Sequence, residues 1–186
     1  MPELILVRHA ATSWSGRRFC GRGDPPLNRA GQAVARRLAK DLASALAPGG
    51  RIVSSPARRA RQTADAIARA IPAARVQLDD RWSETDFGIA EGLTFDELAR
   101  VAPDLVARLG RGDVAIDWPG GEAASSLAER VAAAWRDLIE QPSSTILVSH
   151  AGPLRIAIAL ATSRPIEAVA LPESGAVVRL ADLSRI

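Results

Sequence analysis

Two short apolar runs in this chain each end on a histidine, and no other feature restricts its fold so much. "LILVRHAAT" occupies residues 4–12 and "TILVSHAG" residues 145–152. His9 and His150 are the only histidines among 186 residues. A continuous aliphatic run of four or five residues marks a strand buried on both faces, as in parallel sheets covered by helices. Strands are expected at Leu4–Val7, Arg51–Ser54, Arg75–Leu78, Thr145–Ser149 and Ala176–Leu180.

Helical periodicity fills the gaps. Asn28 can cap a helix running to about Leu46, with Val34, Leu38 and Leu42 on one face and "PGG" at 48–50 as its stop. "SSPARRARQTADAIARAI" predicts a helix with a serine cap, Pro56 in its first turn, and Ala60, Ala64, Ile67 and Ile71 buried. Thr94 and Glu97 have the spacing of a capping box, with Leu93 and Leu98 as its hydrophobic staple, and that helix is interrupted near Pro103. Ser126 and Glu129 repeat the spacing ahead of Leu127, Val131, Trp135 and Leu138, and Pro153–Ala161 reads as an apolar helix. Strands alternating with helices predict an α/β fold of three layers, a mainly parallel central sheet flanked by helices. The length suits a single domain over residues 1–186, with a lid-like, partly helical insertion at about 80–125.

Composition narrows the function classes. No apolar run approaches the ~20 residues of a membrane span, and no basic stretch precedes a long apolar leader, so a cytoplasmic protein is expected. Cys20 is the single cysteine, which leaves no internal disulfide. Two histidines and one cysteine match no zinc spacing, so neither a metal nor another cofactor is expected, although a carboxylate magnesium site stays open. The net charge of +3 is carried almost wholly by arginine, Lys40 being the one lysine, and aromatic residues make up 4%. Without a basic stripe or stacking aromatics, nucleic acid is not an expected partner. Arginine forks do suit phosphate groups, which points to a small phosphorylated metabolite. The sequence is silent on oligomeric state.

In open α/β sheets, ligands bind beyond the carboxyl ends of the strands. His9 and His150 each fall just past such an end, so adjacent parallel strands would turn both imidazoles into one crevice. Either could simply be a polar strand terminus, but two in equivalent places, with none elsewhere, favour a shared site. Arg8 adjoins His9, while Arg58, Arg59 and Arg61 crowd a helix start. There they oppose the macrodipole unless an anion sits at that terminus, or they face water. Two histidines and two arginines suit phosphoryl transfer, with neutral imidazole as nucleophile and guanidinium groups on the equatorial oxygens. The leaving oxygen needs a proton, and Glu84, Asp86 and Glu91 are the carboxyl candidates in "ETDFGIAEGLT".

These motifs resemble the histidine phosphatase superfamily, the phosphoglycerate mutase-like family, whose signature is Arg-His-Gly at the end of the first strand. "SSPARRARQTA", "ETDFGIAEGLT" and "PGGE" ahead of "ILVSHAG" follow in the family's order, to about residue 160. The resemblance implies that His9 becomes phosphohistidine and that Arg8, Arg59 and His150 complete the phosphate pocket. Glu84 would be general acid and base, and Ser15, Arg22 and Ala151 would bind substrate. Three positions depart from the pattern. Ala10 replaces the signature glycine, Ala11 stands where many relatives have glutamate or glutamine, and Ser15 stands where asparagine often contacts phosphate. An alanine at position 10 is tolerable if its φ is negative.

A metal-independent phosphomonoesterase is the expected activity. "FCGRGDPPLN" resembles the corresponding segment of α-ribazole phosphatases, with Arg22 touching a second part of the substrate. A cofactor-dependent phosphoglycerate mutase is the alternative. The Glu84–His150 stretch reads as shorter than in such mutases, and their longer C-terminal tail is lacking, so phosphohistidine would be less shielded from water. A non-catalytic member that binds phospholigands or proteins is the third possibility.

Overall fold

The computed structural model describes residues 3–46, 50–141 and 143–180. Five strands form one sheet in the order β3-β2-β4-β1-β5. β1 (Leu4–Arg8) and β4 (Thr145–Ser149) are its centre, pairing in parallel with Arg8 opposite Ser149. β2 (Arg51–Ser54) and β3 (Val76–Leu78) extend the parallel part, and β5 (Val177–Leu180) closes the other edge antiparallel to β1. The aliphatic runs are buried on both sides because side chains alternate between the faces. Leu4, Leu6 and Leu147 meet α5 (Ala124–Ile139) and α6 (Ala151–Thr162) through Trp135, Leu138 and Leu154. Ile5, Val7, Ile146 and Val148 meet α1 (Arg29–Asp41) and α2 (Arg58–Ala68) through Leu38, Ala60, Ala64 and Ile67. The three-layer α/β architecture is the one the alternating elements predict.

Helix starts are where local chemistry and sequence pattern part. Asn28 caps α1, its Oδ1 accepting from the Gly31 N–H at 2.7 Å. α1 ends at Asp41, short of Leu46, because the next bonds (Ala43 N–H to Lys40 O, Ala45 N–H to Leu42 O) span three residues and tighten the chain into turns. Pro48 and Gly49, read as its stop, lie outside the described residues. Pro56 precedes α2, whose cap is Ala57, and the first-turn N–H of Arg58 goes to the Asp24 carboxylate at 2.6 Å. The anion that offsets three arginines at this terminus is therefore the chain's own Asp24. The Ser126–Glu129 box does not form: α5 starts at Ala124, three residues before the start a Ser126 cap implies, and Asp117 takes the Ala124 N–H at 2.8 Å. The Thr94–Glu97 box does form, with both reciprocal bonds present, at the start of α3 (Phe95–Val101). Pro103 begins α4 (Pro103–Gly110), as a proline suits a first helical position.

α3 and α4 pack over a separate small core of Ala90, Leu98, Leu105 and Ile116, edged by Phe19, Phe87 and Trp118. The loop at 10–27, which follows β1, joins this cluster through Phe19. None of the helices among the described residues is long and apolar enough to cross a membrane.

Candidate active site

Because β1 and β4 are parallel neighbours, the residues after their last rungs emerge side by side. The His9 N–H donates to Ser149 O at 2.9 Å, and the His9 and His150 rings stand edge to face with centroids 5.0 Å apart. His9 Nδ1 lies 2.8 Å from Ala10 O, an acceptor only, so that nitrogen carries the proton and Nε2 keeps its lone pair. Arg59 Nε donates to Nε2 at 3.3 Å. Burial, with Arg59 and Arg8 nearby, pushes the His9 pKa down to about 3, so the ring is neutral near pH 7. His150 is fully buried and its pKa lies well below the ordinary value, for desolvation first and then for its cationic neighbours. Ser55, read from sequence as a helix cap, is 2.8 Å from His150 Nε2 and also accepts from the Ala57 N–H. A hydroxyl both donates and accepts, so the Ser55 contact accommodates either neutral tautomer of His150.

Arg59 is almost wholly buried, whereas Arg58 and Arg61 face solvent. Its terminal nitrogens donate to the carbonyls of Gly23 (2.7 Å), Cys20 (3.0 Å) and Gly21 (3.0 Å), leaving one N–H beyond these and the His9 contact. On the loop's other side, Glu91 accepts from the N–H groups of Gly21, Arg22, Gly23 and Phe87. Gly21 is required by this close approach, since a Cβ there would lie 2.0 Å from Thr85 O. Arg8 donates to Pro172 O at 2.6 Å, and burial lowers its pKa. Among the described residues, two buried side-chain nitrogens have no hydrogen-bond partner: Arg8 Nε and His150 Nδ1. Both belong to this site.

The three carboxyl candidates separate cleanly. Glu91 is saturated by four backbone N–H groups, and Asp86 is tied to the Gly88 N–H and to Arg22 at 3.7 Å. Glu84 alone is buried beside the histidines, and burial raises its pKa against the opposing pull of Thr85 N–H, Arg59 and Arg8. Its Oε1 accepts from the Thr85 N–H at 3.0 Å and from the Gly152 N–H at 3.3 Å. Gly152, in the first turn of α6, is a site residue the sequence reading did not single out. A Cβ there would stand 2.7 Å from Glu84 Oε1 and 3.1 Å from Thr85 Oγ1. Gly152→Ala is expected to displace the Glu84 carboxyl and lower kcat by about 10²-fold, with the melting temperature measured alongside to show that the fold persists.

The remaining candidates lie around the rim. Ser15 Oγ accepts from the Thr12 N–H at 2.9 Å, so its hydroxyl serves the loop's own turn. Arg22 is exposed and paired with Asp86, and half-buried Ala151 opens α6 directly after His150. Ala10 is buried among Leu27, Ala35 and Ala66. Among the described non-glycine residues only Ala73 and Ser163 have positive φ, so Ala10 meets the condition for replacing a glycine. No group of three or more His, Cys, Asp or Glu among the described residues is placed to hold a metal ion.

The family model described as the histidine phosphatase superfamily (branch 1) matches residues 4–180. A bifunctional protein of Mycobacterium tuberculosis is 41% identical over 165 residues, which make up 86% of this chain and 44% of that protein. The match thus spans less than half the length of that relative. A probable phosphoglycerate mutase of Salmonella paratyphi C is 34% identical over 156 residues, covering 81% of this chain and 70% of the mutase. The solved structure of a mycobacterial glucosyl-3-phosphoglycerate phosphatase in complex with VO3 has a TM-score of 0.85 at 27% identity. The likeness covers 97% of this chain and 91% of that one.

Proposed function

The chain belongs to the histidine phosphatase superfamily, and on that premise we propose that it hydrolyses small phosphomonoesters through a phosphohistidine on His9. The observation that carries this proposal is the pair of buried, unpartnered nitrogens, Arg8 Nε and His150 Nδ1, flanking a neutral imidazole. Buried polar groups ordinarily find partners, and leaving a donor unmade costs about 1–3 kcal/mol. A phosphoryl group supplies an oxygen acceptor for the Arg8 Nε–H and for His150 in its Nδ1-protonated form, and its phosphorus would face the His9 lone pair.

In the first step His9 Nε2 attacks phosphorus, the P–N bond forms and the P–O bond to the alcohol breaks. The Glu84 carboxyl gives its proton to the departing oxygen. In the second, a water oxygen attacks phosphorus while the Glu84 carboxylate takes the water's proton and the P–N bond breaks. Inorganic phosphate leaves with His9 neutral and Glu84 protonated again. During phosphorylation the ring becomes cationic, and its Nδ1–H stays bonded to Ala10 O. Arg8, Arg59 and His150 stabilise the equatorial oxygens, and Ser15, Arg22 and Ala151 bind the substrate. These steps use no metal. The segment at 80–125 acts as the lid of a single domain over residues 1–186.

The similarity to a phosphoglycerate mutase favours a second reading, in which phosphohistidine returns its phosphate to a glycerate. A phosphoester panel without added metal, with products identified, separates the two. It includes p-nitrophenyl phosphate, α-ribazole phosphate, glucosyl-3-phosphoglycerate and 3-phosphoglycerate. Release of inorganic phosphate is expected. Conversion of 3-phosphoglycerate to its 2-isomer, primed by bisphosphoglycerate and faster than any hydrolysis, would establish the mutase. Inertness across the panel would leave a phospholigand-binding member of the family.

A further inference from the structure

A bidentate ion pair behind the site has no part in the steps above. Arg130, on α5, meets Glu122 of the "PGGE" block with Nε–Oε1 at 2.6 Å and Nη2–Oε2 at 2.8 Å, the side chains being 18% and 11% exposed. The remaining Arg130 donors reach backbone. Nη1 donates to Arg81 O at 2.8 Å and to Ser83 O at 2.7 Å, and Nη2 donates to Glu84 O at 3.2 Å. All five N–H groups of the guanidinium are thereby used. Glu122 Oε2 also accepts from the Asp86 N–H at 3.4 Å, and the Glu122 N–H donates to Asp86 O at 2.9 Å.

These bonds bracket Glu84 from both sides along the chain. Residues 83–87 lie between 3-10 turns at Asp80–Trp82 and Gly88–Ala90, so no helix or strand ladder fixes their backbone. A buried ion pair is weak evidence of stability, because apolar side chains of the same volume often do as well. Apolar side chains could not satisfy three carbonyls and an amide at fixed positions. The fork of arginine satisfies the carbonyls and the Glu122 carboxylate the amide, whereas the single nitrogen of lysine cannot span the three carbonyls.

We propose that Glu122 and Arg130 are positioning residues for the general acid, gripping the backbone at 81–86 so that the Glu84 carboxyl stays at the leaving oxygen. The inference rests on the phosphatase reading and on Glu84 as proton donor. Its test compares kcat/KM on p-nitrophenyl phosphate, whose leaving group needs little protonation, with kcat/KM on an alkyl ester such as 3-phosphoglycerate. This parameter reports phosphoryl transfer to His9 before water is used. Arg130→Lys is expected to lose about 10²-fold on the alkyl ester and about threefold or less on p-nitrophenyl phosphate. Glu122→Gln keeps volume and one acceptor oxygen, and is expected to show the same selectivity. It serves as the second variant should the first fail to fold. Equal losses on both esters, or no loss on either, would overturn the inference while leaving the phosphatase reading intact. A wild-type chain inert on both would overturn the phosphatase reading and this inference with it.

Discussion

His9→Ala is expected to lower kcat on a phosphate monoester by about 10⁴-fold or more, because removing a nucleophile removes the covalent route and leaves only residual electrostatic catalysis. The loss should fall on kcat and not on KM, since Arg8, Arg59 and His150 remain to hold the phosphate. The fold is expected to persist. The backbone bond from position 9 to Ser149 O does not depend on the side chain, and the ring's one bond to a carbonyl is local. A melting transition near that of the wild type, together with the loss of turnover, is the combined result to look for. Stopped assays with p-nitrophenyl phosphate are sensitive enough to read it.

Glu84→Gln has the second-largest expected effect, and its signature is chemical selectivity together with a changed pH profile. On alkyl phosphates kcat/KM is expected to fall about 10²–10⁴-fold, the range for removing a general acid, and on p-nitrophenyl phosphate much less. The direction of the pH dependence follows from the two environments. Burial raises the Glu84 pKa, so the acid form persists above the usual carboxyl range, and activity falls as pH rises through that value. Burial and two arginines hold His9 down to about 3, so the nucleophile becomes available as pH rises past that point and stays so. Wild-type kcat/KM should therefore be bell-shaped, with its acid limb near His9 and its basic limb set by Glu84. Glu84→Gln should lose the basic limb and keep the acid one. A basic limb unchanged in the variant would assign it to another group.

The parts of this site that were legible in sequence are those whose placement follows from strand geometry. A run buried on both faces belongs in a parallel sheet, and the residue after its last rung is aimed at the carboxyl end, so His9 and His150 could be paired from the sequence alone. From the residues alone the expected general acid could be narrowed only to three carboxylates, and it was the family resemblance that pointed to Glu84. What separates Glu84 from Asp86 and Glu91 is which backbone N–H groups each finds, and that depends on loops 60–70 residues apart in sequence. Arg130 was hidden for a similar reason, since a charged residue within a helix ordinarily faces water. Here the irregular 81–86 segment folds over it and offers unpaired carbonyls. Ser55 read as a helix cap because serine before an apolar-periodic run usually is one, yet its hydroxyl is drawn to His150 and Asp24 arrives from a distant loop to serve α2. Tertiary partners overrode local preference at both predicted caps that failed, since Asp117 does for α5 what Asp24 does for α2. The helix faces themselves were legible, because burial of Ala60, Ala64 and Ile67, or of Val131 and Trp135, requires only the 3.6-residue period and a sheet to pack on.

The measurement that bears most directly on the central claim is the identification of the phosphorylated residue during turnover. The protein is mixed with a phosphoester in excess, quenched in alkali within a single turnover, digested and read by mass spectrometry. An alkali-stable, acid-labile phosphate is expected on the peptide that contains His9, appearing before free phosphate and lost once the substrate is exhausted. None is expected in His9→Ala. Steady hydrolysis by the wild type with no phosphate on His9, or with phosphate on another side chain, would contradict that claim.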